Sequence, residues 1–366
     1  MKNSIIEPAK PHTIKKFELM EAYVDGWARK LLGYKEADGI IFIDCMCNCG
    51  VYYDENNEKI DGTAIRIAKR LNSINEKYGK NVRIYFNDFS KEKVEILKSE
   101  LKQYSLDNVV IETSVADANV FLKNLDIVKF ENHNTLLFYD PYQATIDWDA
   151  VTPYLQRWGE VIINHMVSDS IRGIRQVKEG DKIKKYESTY KKRIEELIEL
   201  GTDRQAFERI IKDIILEQTK MTNREAYIAS FPFFNRTNQL LFNLIYHSTN
   251  KKGFNLFKKK VWETFGGKSS ARRDSQLSGQ ISMNIGNFDT KAVGTMQTDE
   301  AYTIYDMAKY VYEKYKLDGN VPLKTIYDDL ENHPIFPCDG YKDKLKKILE
   351  DEYGATRKLT SIIFNR

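Results

Sequence analysis

Five short apolar segments alternate with helical segments between residues 40 and 164, and this alternation constrains the fold more than any other feature of the sequence. The apolar segments are residues 40–43, 82–86, 109–112, 135–139 and 161–164. Such runs, rich in β-branched residues, are typical of strands that are buried on both faces. Strands that alternate with helices form parallel sheets through right-handed crossovers. The sequence therefore predicts an α/β, Rossmann-like sheet.

The segments on either side of this region extend the prediction. Residues 13–32 have helical spacing of apolar residues, and Thr13 is the predicted cap. Residues 171–222 are polar and helical in pattern, and residues 228–234 and 240–247 look like further strands. These two strands predict an antiparallel edge on a mostly parallel sheet.

The C-terminal part has a different pattern. Residues 266–298 are rich in Gly, Ser and Thr, and three short helical segments and a strand pair follow them. We therefore predict four parts: an N-terminal helical segment (1–38), a Rossmann-like domain (39–265) with a helical insertion at about 171–222, a linker (266–298), and a winged-helix-like domain (299–366).

Composition excludes some classes of protein. A hydrophobic content of 42% is enough for a real core, so dominant disorder is excluded. No apolar run approaches the length of about 18–20 residues that a membrane-spanning helix needs. The first 20 residues are charged and lack the apolar stretch of a secretory signal. We therefore expect a cytoplasmic protein with no membrane partner.

Three of the four cysteines are close together, at Cys45, Cys47 and Cys49, and Cys338 is alone. A disulfide between residues two apart cannot connect distant parts of a fold, so a disulfide framework is not predicted. Soft metal ligation is an alternative, but zinc sites usually combine two pairs of ligands, and a second pair is missing. We predict no metal site, and interpret these cysteines as small loop residues.

Polar residues follow each predicted strand of the parallel region. They are Asp44, Asp88, Asp117, Asp140 and Asn164. In open α/β sheets, ligands bind beyond the carboxyl ends of the strands. The sequence therefore places five polar side chains where a ligand site is expected.

The loop after the first strand, residues 44–50, has the composition of a nucleoside-binding turn. Small residues let backbone N–H groups approach a ligand, and Asn48 and Gly50 are the residue types that tolerate positive φ. At the end of the second strand, Asp88 fits a ribose diol, because a carboxylate accepts two hydroxyl hydrogen bonds. Asp117 fits an exocyclic amino group. A plain connecting loop is the alternative interpretation.

Asp140, Pro141 and Tyr142 directly follow the fourth predicted strand. An acceptor, a rigid proline and a stacking aromatic ring would together hold a planar ring that carries an amine. The acceptor would direct the amine lone pair toward an electrophilic methyl group. A rigid turn that ends the strand is the alternative, since Asp-Pro is common in turns.

Two tracts are basic although the net charge of the chain is only +3. Residues 172–193 carry nine Lys and Arg against three acidic residues, and residues 251–275 carry eight against two. Aromatic residues lie within the second tract, which suits a phosphate backbone and stacked bases. Solvated helix faces whose lysine stems cover core aromatics are the alternative. For the pair of tracts together we favour DNA, RNA or an acidic partner.

With these residues identified, the chain resembles the three-Cys-motif partner (TcmP) family over most of residues 12–265. No single motif carries the resemblance, which rests on order and spacing. The matching positions are His12, Thr13, Lys16, Tyr23, Trp27, residues 42–44, Gly50, Tyr52, residues 87–88, residues 140–142, Trp148, residues 162–164, residues 246–250, Gly253 and residues 260–262.

The resemblance implies a class I methyltransferase-like fold with S-adenosylmethionine (SAM) as cofactor, and a separate iron–sulfur, radical-SAM-like partner that carries the three-Cys motif. The three clustered cysteines of this chain are not that motif. Transferred by position, Asp44, Cys45, Asn48 and Gly50 would hold the methionine end of SAM. Asp88 would hold the ribose and Asp117 the adenine. The catalytic set, Asp140, Pro141 and Tyr142, would hold the target amine.

Two positions depart from the patterns to which this chain is compared. The family usually has Asp-x-Phe-Ala-Gly-x-Gly after the first strand, and Asn48 replaces its first glycine. Amino-methyltransferases with Asp-Pro-Pro-Tyr have one more proline than the 140–142 segment.

From the resemblance and the polar strand ends we expect a SAM-dependent methyltransferase-like protein acting on nucleic acid or a nucleotide. The alternative is a catalytically inactive module of the same fold that docks nucleic acid or the partner enzyme.

Overall fold

A computed structural model describes residues 5–141, 145–177, 180–272 and 301–365 of the chain. Up to residue 165 the elements are α1 (Pro11–Leu32), β1 (Gly39–Asp44), β2 (Val51–Tyr53), β3 (Lys59–Asp61), α2 (Thr63–Tyr78), β4 (Asn81–Asp88), α3 (Lys91–Leu101), β5 (Val110–Val115), α4 (Ala118–Asn124), β6 (His133–Tyr139), α5 (Trp148–Leu155) and β7 (Gly159–His165). They are followed by α6 (Val167–Gln176), α7 (Asp181–Tyr190), α8 (Ile194–Glu199), α9 (Arg204–Lys220), β8 (Tyr227–Phe234), β9 (Leu240–Ser248), α10 (Lys251–Thr264), α11 (Ile304–Tyr315), β10 (Asn320–Pro322), α12 (Leu323–Asn332), α13 (Lys342–Tyr353), β11 (Thr356–Arg357) and β12 (Ser361–Ile363).

The main sheet of the described chain has seven strands in the order β5-β4-β1-β6-β7-β9-β8. The first five of these strands are parallel to their neighbours. β9 runs antiparallel to β7, and β8 runs antiparallel to β9. A mostly parallel doubly wound sheet that ends in an antiparallel hairpin is the sheet of the Rossmann-like methyltransferase fold. The predicted α/β sheet with an antiparallel edge is confirmed, whereas the winged-helix-like domain stays a prediction.

Both faces of the sheet are covered by helices, which explains why the strand sequences are continuously apolar. All six residues of β1 are buried. Ile40 and Phe42 belong to a core with α1, α2 and α10, whereas Ile41 and Ile43 belong to a core on the opposite face with α5 and α6. Because side chains alternate along a strand, residues that are adjacent at the sheet edge also face opposite sides.

The structure differs from the sequence-based prediction at several element ends. A β-hairpin, β2–β3, follows Gly50 where the sequence indicated only a loop. Residue Pro8 forms a parallel bridge with Tyr53, which ties the N-terminal segment to this hairpin. Helix α1 begins at Pro11 with Lys10 as N-cap, and not at a Thr13 cap. Proline is favoured in the first turn because its missing N–H has no partner there in any case.

The C-terminal elements form a second, small sheet. Its strand order is β10-β12-β11 with antiparallel pairing, and α11, α12 and α13 pack beside it. Helix α10 joins it to the main sheet: the indole N–H of Trp262 donates to the carbonyl oxygen of Ile335 at 3.1 Å. Most of the predicted linker lies outside the described residues. The domain boundaries inferred from the sequence remain predictions.

Lys258 of α10 forms hydrogen bonds across this junction. Its side chain is fully buried, and Nζ donates to the carbonyl oxygens of Leu330, Glu331 and His333 at 2.9, 3.2 and 2.7 Å. These carbonyls lie at the C-terminal end of α12, where a helix leaves acceptors unpaired. An ammonium group has three N–H donors, so the three acceptors satisfy it completely.

We predict that Lys258→Ala will lower the free energy of unfolding by about 2–4 kcal/mol, because it leaves buried carbonyl acceptors without donors. Urea titration of the wild type and the variant would measure the change. The exposed Lys252 of the same helix offers a matched control. Lys252→Ala should stay within about 0.5 kcal/mol of the wild type. Equal losses in the two variants would contradict a specific role for Lys258.

Candidate functional site

A cavity of about 570 Å³ opens beyond the carboxyl ends of β1, β4, β5 and β6. Its volume lies within the range of about 300–1,000 Å³ that is usual for small-molecule sites. The residues that line it include Cys45, Met46, Phe89, Asp117, Asn119, Tyr139, Pro141, Asp147, Asp149 and Lys185. It therefore lies at the edge of the sheet where ligands bind in this class of fold.

Three of the predicted site residues line this cavity: Cys45, Asp117 and Pro141. Asp117 is also the N-cap of α4, and its Oδ1 accepts hydrogen bonds from the backbone N–H groups of Asn119 and Val120 at 2.9 and 3.2 Å. The cap holds the carboxylate in place at the rim. Tyr142, the third residue of the predicted catalytic set, lies outside the described residues.

The sequence analysis missed Phe89, whose side chain lines the cavity although it is 67% exposed. It follows the acidic end of β4. An aromatic residue directly after an acidic strand end was the available signal, because aromatic side chains commonly line small-molecule pockets.

The cavity wall carries more acidic than basic groups. Asp117, Asp147 and Asp149 lie in the wall together with one lysine, Lys185. Asp147 is itself the N-cap of α5 and forms an ion pair with Lys123 at 2.9 Å. An acidic wall favours a cationic ligand or one rich in hydrogen-bond donors, and it disfavours a phosphate.

Asp88, Asn48 and Gly50 do not line the cavity. The buried carboxylate of Asp88 accepts hydrogen bonds from the backbone N–H groups of Asn48 at 3.0 Å and Ser90 at 2.9 Å. Asn48 and Gly50, in the loop after β1, have positive φ values of 58° and 76°. In this arrangement Asp88 holds the loop after β1, and its proposed contact with a ribose remains a prediction.

Asp140 and Asp44 face the other side of the sheet. Asp140 forms an ion pair with Lys16 of α1 and accepts a hydrogen bond from the side-chain amide of Asn164. Asp44 is buried beside it and accepts a hydrogen bond from the N–H of Met46 at 3.2 Å. Burial and the negative charge of Asp140 raise the pKa of Asp44 to about 8. At neutral pH Asp44 is therefore mostly protonated.

The clustered cysteines are buried, and Cys45 is the one of the three that also contributes to the cavity wall. Cys45, Cys47 and Cys49 are buried free thiols, and the Sγ of Cys49 donates to the carbonyl oxygen of Val51 at 3.1 Å. Across the residues that the structure describes, no cluster of three or more His, Cys, Asp or Glu side chains is arranged to bind a metal ion. Over the same residues, none of the helices combines the length and the apolar character that crossing a bilayer requires.

Three of the four aromatic residues of the second basic tract are buried and are not available for stacking on bases. Phe254, Phe257 and Trp262 are buried in the core on the α10 side of the sheet. Lys258 lies over the ring of Phe254, with 4.3 Å between Nζ and the ring centroid. Phe265, the fourth aromatic residue of the tract, is half-buried, and contact of this tract with nucleic acid stays a prediction.

Comparisons with known proteins give only a distant likeness. No family model matches the chain, and no curated protein matches it. Among solved structures, protein LPL1258 from Legionella pneumophila str. Philadelphia 1, described as family-model DUF519, is 10% identical with a TM-score of 0.42, and the match covers 68% of this chain and 91% of that one. An rRNA methylase from Streptococcus thermophilus is 12% identical with a TM-score of 0.30, covering 61% and 93%.

A precorrin-6y C5,15-methyltransferase from Geobacter metallireducens GS-15 is 10% identical with a TM-score of 0.28, covering 61% of this chain and 86% of that one. Likeness at this level says nothing of activity. The order and direction of the seven strands define the class: this is a protein of the Rossmann-like methyltransferase fold.

The raised pKa of Asp44 predicts a pH dependence of stability. The folded state holds the proton up to about pH 8, whereas the unfolded state releases it near the ordinary value of 3.8. Between these values the folded state binds more protons, so the contribution of Asp44 to stability falls as pH rises, by up to about 1.4 kcal/mol per pH unit.

The variant Asp44→Asn mimics the protonated acid. We therefore predict that its free energy of unfolding will decrease less steeply than that of the wild type as pH rises from 5 to 8. Urea titrations at several pH values would measure the difference. Asp107→Asn, at an exposed position, is the control and should follow the wild type. Parallel curves for the wild type and Asp44→Asn would show that the carboxyl ionises normally.

Proposed function

We propose that this protein is a SAM-dependent methyltransferase that acts on an amine of a nucleic acid or a nucleotide. The observation that carries the proposal is the cavity of about 570 Å³ at the carboxyl ends of the parallel strands, with Asp117 and Pro141 in its wall. Fold alone does not define function, so the chemistry of this wall supports the proposal.

The residues of the cavity fit SAM. The ring of Phe89 offers a flat apolar surface for adenine, and the carboxylate of Asp117 offers an acceptor for the adenine amino group. The acidic wall favours the positively charged sulfonium. When bound, SAM supplies an electrophilic methyl group, so the protein has mainly to orient the two reactants and exclude water.

Asp140 is the proposed acceptor for an N–H of the target amine. It lies at the end of β6 next to Pro141, which lines the cavity. Asn164, at the end of β7, donates a hydrogen bond to Asp140 and would hold this carboxylate in position. The proposed role of Tyr142 in stacking on the target ring stays a prediction.

The nucleic-acid target and the partner protein are supported by weaker observations. The resemblance to three-Cys-motif partner proteins implies a radical-SAM-like partner. The C-terminal order of helix, strand, two helices and a strand pair is the order of a winged helix, a module that often binds nucleic acid. Its strand pair carries Arg357 and Lys358 beside Leu359, whose side chain is 96% exposed.

The second candidate function is a catalytically inactive docking module, and one observation favours it. The carboxylate of Asp88, proposed to bind the ribose, accepts a hydrogen bond from Asn48 in the loop after β1, and Asn48 stands where the family that the chain resembles has its first glycine. If the loop keeps this position, the ribose of SAM has no partner there. Binding and activity measurements separate the two functions.

We predict that the wild-type protein will bind SAM and that Phe89→Ala will weaken binding by about tenfold, because base–aromatic stacking contributes about 1–3 kcal/mol. Isothermal titration calorimetry with SAM and with S-adenosylhomocysteine would measure both. Val128→Ala is a suitable control, since Val128 is 76% exposed and does not line the cavity. Absence of heat at millimolar SAM would contradict the proposal.

We predict that Asp140→Ala will reduce methyl transfer from labelled SAM to pooled DNA and RNA oligonucleotides by about 100-fold, since a misplaced acceptor amine reacts slowly. SAM affinity should stay within about threefold, because Asp140 faces away from the cofactor cavity. Incorporation that is equal in the wild type and the variant would exclude Asp140 from the reaction. An inactive wild type with intact SAM binding would support the docking module.

A further inference from the structure

Helix α7, in the polar segment between β7 and β8, forms part of the wall of the 570 Å³ cavity through Lys185 and Ser188. The residue after Ser188 fixes this helix to the chain that enters α5. The hydroxyl of Thr189 accepts from the backbone N–H of Ile146 at 2.9 Å, and its carbonyl oxygen accepts from the indole N–H of Trp148 at 2.8 Å. Lys185 and Ser188 lie within about one turn of Thr189, so these contacts hold them close to the start of α5.

The start of α5 brings carboxylates to the same part of the wall. Asp147 and Asp149 both line the cavity, on either side of Trp148 in the sequence. Asp147 already has protein partners, because it caps α5 and forms an ion pair with Lys123. Asp149 is exposed in the first turn of α5. The cavity therefore has the ammonium group of Lys185 and the carboxylate of Asp149 in one part of its wall.

This pair of opposite charges fits the zwitterion of an α-amino acid. Among the described residues of the wall, Lys185 is the one basic side chain, and it lies with three aspartates. A carboxylate ligand can accept charge-assisted hydrogen bonds from a lysine, while a neighbouring ammonium group donates to an aspartate. A phosphate would instead meet more negative than positive groups in this wall.

The residues that the resemblance assigned to the methionine end of SAM do not supply these charges. Asp44, Asn48 and Gly50 do not line the cavity. Cys45 does, but its thiol donates to the carbonyl oxygen of Phe138 at 3.6 Å, and a thiol is a weak hydrogen-bonding group. The charged amino-acid end of SAM therefore needs partners from another part of the wall.

We infer that Lys185 and Asp149 bind the amino-acid end of SAM: the Lys185 ammonium donates to the α-carboxylate, and the Asp149 carboxylate accepts from the α-ammonium. The inference rests on the proposed methyltransferase function, and it assigns the methionine end to α7 and α5 instead of the loop after β1. The adenosine end has its partners, Phe89 and Asp117, in the wall of the same cavity.

The first experiment compares ligands with and without the amino-acid end. Isothermal titration calorimetry on the full chain measures S-adenosylhomocysteine, which has this end, and methylthioadenosine, which lacks it. Lys185→Met keeps an apolar stem and removes the charge. We expect the variant to bind S-adenosylhomocysteine about tenfold more weakly than the wild type does, and methylthioadenosine within about twofold, because only the first ligand loses a charge-assisted hydrogen bond.

Two further variants of α7 are matched controls. Lys182→Met removes an exposed lysine that does not line the cavity, and it should bind both ligands as the wild type does. Lys185→Arg keeps a cation in the wall and should bind S-adenosylhomocysteine within about threefold of the wild type. Unchanged thermal unfolding midpoints verify that the variants fold.

The second experiment separates the roles of the two charged residues. Decarboxylated SAM keeps the amine and the sulfonium of SAM but has no α-carboxylate. We expect Lys185→Met to bind it within about twofold of the wild type, and Asp149→Asn to bind it about tenfold more weakly, because the ammonium loses its acceptor. Asp107→Asn, exposed and outside the cavity wall, is the control and should bind it as the wild type does.

The outcomes distinguish this inference from the proposed function. Unchanged binding of S-adenosylhomocysteine to Lys185→Met would overturn the inference and leave the proposed function intact. Equal losses of S-adenosylhomocysteine and methylthioadenosine would also overturn it, because Lys185 would then act on the adenosine end or on the fold. Loss of decarboxylated SAM in Lys185→Met would exclude the α-carboxylate as its partner. A wild type that binds none of these ligands would contradict the methyltransferase proposal itself, and the inference with it.

Discussion

The parallel pairing of β1 with β4 on one side and β6 on the other is the constraint on which the rest of the structure depends. At its start Gly39 is packed so closely between these strands that a Cβ would collide with the carbonyl oxygen of Asn81. At its end the pairing aligns Asp44 with Phe86 and Phe138, so that the next residues of all three strands meet at one edge. Carboxylates that are far apart in the sequence are thereby brought close together. Each must be stabilised there, because an unpaired buried charge is costly.

The structure stabilises these carboxylates in three different ways. Asp88 accepts hydrogen bonds from the backbone N–H groups of Asn48 and Ser90, and the bond from Asn48 holds the loop after β1 in place. Asp140 has an ammonium partner in Lys16 and an amide partner in Asn164. Asp44, buried next to Asp140, is stabilised in its protonated form. The same crowding that makes this edge suitable for binding amines also ties its residues to protein partners, so ligand binding must exchange one partner for another.

Local periodicity was enough to predict most of the elements, because apolar runs and helical spacing are properties of neighbouring residues. The strands and α2 were found in this way, whereas the three-residue strands of the β2–β3 hairpin are too short to show a pattern. Side chains alternate between the two faces of a sheet along a strand, so the sequence could have predicted that Asp140 and Pro141 lie on opposite faces. The contact of Lys16 with Asp140 was not, because 124 residues separate them and only the folded sheet brings α1 over β6.

The end of β6 places Asp140 and the cavity on opposite faces of the sheet, and this arrangement bears on the geometry of methyl transfer. Displacement at a methyl carbon requires the attacking nitrogen and the departing sulfur to lie on opposite sides of that carbon. A target amine held by Asp140 would approach from the α1 side of the sheet, away from the cavity that is proposed to hold SAM. A strand end held between neighbouring strands is rigid, and rigid positioning is the main contribution that a protein can make when the cofactor already carries the reactive group. Lys16 stabilises the Asp140 carboxylate through their ion pair, and an amine that binds to Asp140 must therefore replace this partner.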